Sequence, residues 1–354
     1  MSTYDLVVGL PLEVEGYALD GLSRTVSSNF ERRTTIVRLQ GGGEEGVGED
    51  VTYAPDEHER QQRLGPVLPL AGSWTFDAFA EHVGTLDLFP EGEPEQPAYR
   101  LYRRWGFESA ALDLALRQAG RSLAELLARE PSPVTFVVST RMGEPPTFEP
   151  VGRRLAAYPG LRFKLDATPD WSEDLIARLV TTGAVVSIDF KAAYKGTVVD
   201  VETDPELYRR IVTAFPEAWL EDPDVDDPEA LAVLEPHRDR VTWDAPIHSV
   251  ADIQARRWPP RTVNLKPSRF GSVRALFDAY DYCAANGMGA YGGGQYELGP
   301  GRGQIQYLAA LFHPDAPNDI APGGYDALDP APGLPSSPLE PELERVGFRR
   351  RDVH

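Results

Sequence analysis

The apolar residues of this chain follow two rhythms. Up to about residue 130 the pattern begins with strand-like segments, LVVGLPLEV, TTIVRLQ and GVGEDVTYA. It then passes to ESAALDLALRQAG and SLAELLARE, where Ala and Leu recur at three- and four-residue spacing, as an amphipathic helix requires. From about 131 short β-rich runs alternate with helical segments, which predicts β/α units around a parallel sheet. The runs are VTFVVS (134–139), LRFKLD (161–166), AVVSIDF (184–190), AWLED (218–222), RVTWD (240–244), TVNLK (262–266) and GMGAYGG (287–293), with a weaker eighth near NDIAP (318–322). Eight such units in about 195 residues predict a closed (β/α)8 TIM-like barrel. The expected division is an α+β unit over 1–130, the barrel over 131–325, and a Pro-rich, then charged tail over 326–354 that folds back or stays loose.

Alternation within the runs assigns the faces. Side chains two apart on a strand share a face. Arg162, Lys164 and Asp166 alternate with Phe163 and Leu165, and Ser187, Asp189 and Lys191 with Val186, Ile188 and Phe190. Thr242 and Asp244 alternate with Val241 and Trp243, and Asn264 and Lys266 with Val263 and Leu265. The apolar sets pack on the helices, so the polar sets point into the barrel mouth. Asp166, Asp189, Glu221, Asp244 and Lys266 end successive runs at separations of 23, 32, 23 and 22 residues. In this architecture the C-terminal strand ends build the active site. Three neighbouring strands ending inward in carboxylates repel unless a cation sits among them, and oxygen-only ligands point to Mg2+. A desolvated lysine beside such a cation, Lys266, suits proton abstraction next to a carboxylate.

Composition narrows the partners. With 354 residues the chain can bury a large core without staples, and at 42% hydrophobic and 25% charged it reads as an ordinary globular protein. A formal net charge of -20 argues against nucleic acid and anionic membrane, both of which need clustered Lys and Arg. No apolar run is long enough to span a bilayer and no leader pattern opens the chain, so the cytoplasm is the expected location. The single cysteine, Cys283, reads as a small buried hydrophobe. GGGEEGVGED reads as a turn, since no Lys follows it and its acidic residues oppose a phosphate.

IDFKAAYKG, WLEDPD, WDAP, VNLKPSRFGS and GGGQYELGPGRGQIQYLAALFHPDAPNDIAP, in this order and spacing, resemble the enolase superfamily in its mandelate racemase and muconate lactonizing enzyme branch. GVGEDVTY and ALDLALRQAGRSLAELL resemble its capping domain. The resemblance covers nearly the whole chain and implies a modified enolase-type barrel under an N-terminal cap. It implies Asp189, Glu221 and Asp244 as ligands of Mg2+, Lys266 as a base, and cap loops near 14–30 and 46–55 closing over a small carboxylate; within those loops Arg24 and Tyr53 are the candidate substrate contacts. Two positions depart from the pattern. Lys164-Leu165-Asp166 stands where Lys-x-Lys is usual, and Lys191 where Asn is common. An Asp166–Lys191 ion pair, or an amine moved over by one strand to Lys191, is the expectation.

Without a lysine at 166 the expected course is one-base β-elimination, a dehydratase-type lyase acting on a hydroxy or sugar acid, with Lys164 orienting the carboxylate. The alternatives are an isomerase (epimerase, racemase or cycloisomerase) and a barrel that binds a metal or ligand without turnover. Asn264, a step deeper than Lys266, is expected to position it, and Glu297 to touch substrate. Arg302, His248 and His313 read as surface, hinge or packing residues. A homo-oligomer remains open.

Overall fold

The computed structural model describes residues 2–27, 30–195 and 200–351. The N-terminal unit holds five strands, β1 (Pro11–Val14), β2 (Gly16–Ser27), β3 (Phe30–Gly41), β4 (Glu44–Asp50) and β5 (Gly72–Thr75). β2, β3 and β4 form an antiparallel sheet, and β1 pairs with β5. The segment expected as a loop near 14–30 is therefore mostly the long strand β2, and 46–55 is half β4, then a loop over 51–54 and the start of a helix; positions 28 and 29 lie outside the described residues. The helix Tyr99–Gln118 lies directly on β4. Gly46 and Gly48 permit this, because a Cβ there would stand 2.2 Å from the Ala110 carbonyl oxygen and 2.1 Å from that of Gly106. The acidic, Gly-rich stretch is a tight β3–β4 turn at Gly42 and Gly43, both at positive φ.

The second unit contributes β6 (Val138–Thr140), β7 (Phe163–Asp166), β8 (Val185–Asp189), β9 (Trp219–Glu221), β10 (Val241–Thr242), β11 (Thr262–Leu265) and β12 (Gly289–Gly292). β6 to β10 form one parallel sheet in chain order, and β11 and β12 a parallel pair. The gap between them is bridged by Asn264 N–H donating to the Trp243 carbonyl at 3.0 Å. The eighth segment, around Asn318 and Asp319, bridges Gly293 on one side and Phe136 on the other. Eight segments thus close a ring, as their alternation with helices predicts. Ser172, Asp204, Asp227, Ser249 and Ser272 each cap the N-terminus of a barrel helix through a side-chain oxygen.

Closure depends on Asn318, which is fully buried. Its amide donates to the carbonyls of Thr135, His313 and Ala316, and its oxygen accepts from Gly292 N–H and His313 Nδ1. His313 therefore carries its proton on Nδ1, leaving Nε2 to accept from the Tyr280 hydroxyl at 3.2 Å. It is a packing histidine, and burial pushes it down to about 4. Cys283 is likewise buried core.

The tail folds back. Leu339 pairs with Val134 at the foot of β6, and Phe348 is buried against the Tyr307 ring. Asp113, on the long N-terminal helix, accepts from Phe348 N–H at 2.7 Å and Arg349 at 2.6 Å. The same helix carries buried Glu108, which accepts from Arg104 and, at 2.9 Å, from Val273 N–H at the start of the helix Val273–Ala285 between β11 and β12.

Burial raises the Glu108 carboxyl to about 7 from an ordinary 4.5, against the pull of Arg104. The folded state then binds this proton more tightly than the unfolded chain. The stability it contributes is complete below about pH 4.5 and is lost as the pH rises through about 7. Glu108→Gln cannot titrate. Between pH 5 and 8 wild-type unfolding free energy should fall on the order of 1–3 kcal/mol further than that of the variant, as read by urea denaturation. Equal slopes would show that Glu108 does not carry this dependence.

Candidate active site

Parallel register places three carboxylates flush. Asp166 pairs with Asp189, Asp189 with Glu221, and Glu221 with Thr242, so like charges stand side by side across β7, β8 and β9. Lys164, two residues deeper on β7, is 2% exposed and sends its ammonium up to Glu221 and, at 3.1 Å, to Asp189. Lys191 reaches back from the end of β8 to Asp189 and stands 3.3 Å from Asp166. The expected Asp166–Lys191 pair is present, and Arg141 joins Asp166 from the rim at 3.2 Å. Lys266, at the end of β11, donates to Asp244 Oδ2 at 2.9 Å. Asp244 Oδ1 accepts from Arg269 at 2.5 Å, and Arg269 also donates to the Tyr194 hydroxyl.

Among the described residues, the acidic group able to hold a metal is Asp189, Glu221 and Asp222, with ligand oxygens within 4.8 Å of one another. Asp222, not Asp244, completes that group. Asp244 has both oxygens held by Lys266 and Arg269, and Asp222, in a left-handed conformation at φ 45°, likewise accepts on both, from the Asp244 and Ala245 N–H groups. Six carboxylates converge on the mouth: Asp166, Asp189, Glu221, Asp222, Asp244 and Asp319. Four cations face them from within the mouth, buried Lys164, Lys266 and Arg269 and partly buried Lys191, and Arg141 reaches Asp166 from the rim. That leaves a formal surplus of one negative charge among buried oxygen donors, the donor chemistry that a divalent cation such as Mg2+ takes.

The protonation preferences record the same surplus. Burial, with the charges of Asp189, Asp244 and Asp222 adding to it, pushes Glu221 well above the usual carboxylate range against Lys164. Burial and the charges of Asp244 and Asp189 raise Asp222 to about 6. Burial opposes ionisation of Asp189 too, but the ammoniums of Lys191 and Lys164 hold it well below the usual range. Arg269 and Lys266 overcome burial at Asp244 in the same way. Burial lowers Lys266 against Asp244, and Arg269 and Lys164 add to that lowering.

Other expected residues distribute as follows. Asn264 is buried beside Lys266 but makes no hydrogen bond to it; both its amide atoms lack hydrogen-bond partners. The strand-seven loop packs close, for a Cβ at Gly293 would stand 2.5 Å from Lys266 Cε and 3.0 Å from the Asn264 amide. Glu297 accepts from Gln295 N–H at 2.7 Å and pairs with Arg302 at 3.3 Å. Tyr53 reaches this loop, its hydroxyl donating to Gln295 at 3.1 Å. Arg24 is exposed, 5.9 Å from the Tyr296 ring. His248 contacts the Arg269 and Ala245 carbonyls.

Sequence reading passed over Arg269, Asp222, Asp319 and Arg32. Asp319 stands in the eighth run, NDIAP, beside Asn318, so its place in that run was a usable signal. Arg32 offered none. It is fully buried in the N-terminal sheet and donates to the carbonyls of Val51, Thr52, Gln295 and Tyr296. Glu49 answers it by accepting from the N–H groups of Leu298, Gly299 and Gly301. The cap thus grips the loop that packs on Lys266. Arg32→Ala would leave buried carbonyls unpaired, and the expected cost is roughly 2–4 kcal/mol in chemical denaturation. A loss under about 0.5 kcal/mol would mean that the carbonyls find other donors.

Residues 130–327 match the C-terminal domain, and residues 5–126 the N-terminal domain, of a family described as a domain of unknown function, DUF8230. An N-succinylamino acid racemase from an Amycolatopsis species is 26% identical over 266 residues, spanning 68% of this chain and 70% of that protein. Among solved structures, a probable mandelate racemase from Alicyclobacillus acidocaldarius superposes with a TM-score of 0.61 at 22% identity, over 88% of this chain and 86% of that one. Muconate cycloisomerase from Pseudomonas fluorescens gives 0.60 at 18%, over 88% and 87%. A member of the enolase superfamily from Enterococcus faecalis gives 0.61 at 20%, over 88% and 86%. The fold is that of the enolase superfamily. No described helix is long and apolar enough to cross a membrane.

Proposed function

Because the chain belongs to the DUF8230 family and has the enolase-superfamily fold, we propose that it is a Mg2+-dependent isomerase that removes and returns the α-proton of a small carboxylate. One observation carries the reading: amines face the acidic group from opposite parts of the ring. Lys266 stands at the end of β11, the sixth strand, and Lys191 with Asp166 at the ends of β8 and β7, the third and second.

Asp189 and Glu221, with Asp222 or Asp244 third, would hold the cation. When bound, Mg2+ supplies positive charge at the substrate's carboxylate, which favours the enolate. Lys266 takes the α-proton from one side, its amine held in place by Asp244. Lys191, steadied by Asp166, returns a proton from the other. Tyr53 and Arg24, from the cap, bound the space over the substrate, and Asn264 offers its unpartnered amide beside Lys266. The substitution at Asp166 points toward one-base elimination. The amine that Lys191 places beside it, and the likeness to a racemase and a cycloisomerase, favour isomerisation instead.

The test is exchange in D2O with Mg2+ and a panel of chiral carboxylic acids, N-succinylamino acids among them, followed by NMR and mass. Wild type should place deuterium at the α-carbon and interconvert configurations with no mass change beyond that exchange. Lys266→Ala should lose that turnover by roughly 10²–10⁴-fold while still binding Mg2+. Lys191→Ala should retain exchange for the one enantiomer whose proton faces Lys266 and lose interconversion. Loss of water from a hydroxy acid would instead establish the lyase. Full turnover in Lys266→Ala would remove that residue from the role.

A further inference from the structure

Lys191 is the one of the four mouth cations with a left-handed backbone, at φ 57°. That turn folds its side chain back over β8. Its ammonium contacts Asp189 Oδ2, its own N–H donates to Asp189 Oδ1 at 2.9 Å, and the Tyr194 ring lies 5.4 Å from Nζ. A single residue therefore engages both oxygens of a carboxylate that belongs to the acidic group.

We infer that Lys191 is a tethered competitor for the metal: its ammonium occupies Asp189 and weakens divalent-cation binding, and a cation enters by displacing it toward Asp166 and the mouth. The inference rests on the acidic group being a metal site, as proposed above. An ammonium and a divalent cation cannot share one buried carboxylate oxygen without strong repulsion. Lys164 touches the same Asp189 oxygen, but its side chain is 2% exposed and held between Asp189 and Glu221, 3.8 Å from Asp319, so its repulsion is a fixed part of the site and Lys191 is the ammonium that can move. The Lys191 side chain is 14% exposed and keeps Asp166 at 3.3 Å as a second partner after it leaves Asp189. The N–H to Asp189 Oδ1 bond is a backbone contact that the displacement leaves in place, so the ligand stays oriented while the ammonium moves. The displaced ammonium then lies on the side of the mouth from which the proposed reaction needs its second amine.

The experiment is Mn2+ and Mg2+ titration of the full chain without substrate, by calorimetry and by the EPR signal of free Mn2+. Lys191→Met removes the charge at nearly constant length. Lys191→Asn does so with a residue that accepts the left-handed backbone. Both should bind Mn2+ roughly tenfold or more tightly than wild type, and the gain should persist at high salt because the competitor is part of the site. Lys195→Met, which removes an exposed lysine paired with Asp224, should match wild type. Wild-type or weaker affinity in a folded Lys191→Met overturns the inference. So does a gain confined to Lys191→Asn, which would mark the new amide as a ligand. If neither wild type nor Lys191→Met binds a divalent cation, the metal reading above fails as well. Binding in Lys191→Met but not in wild type is the inference in its strongest form.

Discussion

Three carboxylates at one level of a parallel sheet are the constraint around which this molecule is arranged. Asp166, Asp189 and Glu221 are register partners on adjacent strands, and strand spacing of about 4.8 Å leaves them no room to separate. Glu221 and Asp189 are fully buried, where a bare carboxylate is far costlier than in water. Cations must therefore reach them from several directions. Lys164 comes from below, Lys191 from the side, and Lys266 and Arg269 bind Asp244 next door. The Tyr291 hydroxyl, on β12, donates to the remaining oxygen of Glu221. The charges are thus balanced around the whole ring, and closing the ring is an electrostatic requirement as much as a packing one.

This ties the cap to the chemistry. Lys266 and Asn264 are pressed by Gly293, and the loop after Gly293 is held by Arg32, Glu49 and Tyr53 from the N-terminal unit. Two buried ionic side chains make these contacts almost entirely to backbone groups, so the loop's path is set by main-chain hydrogen bonds. Behind them, Asp113 ties the long cap helix to the returning tail, and Glu108 ties it to the helix Val273–Ala285. A shift of the cap would pass to the mouth through these few contacts.

The strand ends were legible because two periodicities coincide there: alternation within a run chooses the face, and the β/α repeat chooses the end. Asp189, Glu221 and Lys266 satisfy both. What escaped satisfies neither. Asp222 follows Glu221 and by alternation should point away; its left-handed backbone turns it in. Arg269 lies four residues past β11 in a one-turn helix, where strand periodicity no longer applies. β10 is only two residues long, so Asp244 lies beyond its ladder, and the run RVTWD reads as more strand than forms. The tail's return rests on single contacts such as Phe348 with Tyr307, which composition cannot announce.

The two departures at 166 and 191 make sense together once register is known. Asp166 faces Asp189 across one strand gap, and Lys191 lies two residues past Asp189, the last residue of β8. A fully extended continuation would carry the Lys191 side chain up and out of the mouth. The left-handed turn folds it back, so that its ammonium bridges Asp166 and Asp189. A lysine on β7 and a neutral residue after β8 would put an amine in nearly the same volume. In this chain the positive charge between the two strands thus comes from Lys191, past the end of β8, and not from β7. A substitution that seems to remove a catalytic amine has to be weighed against the backbone conformation of its neighbours before the function is called lost.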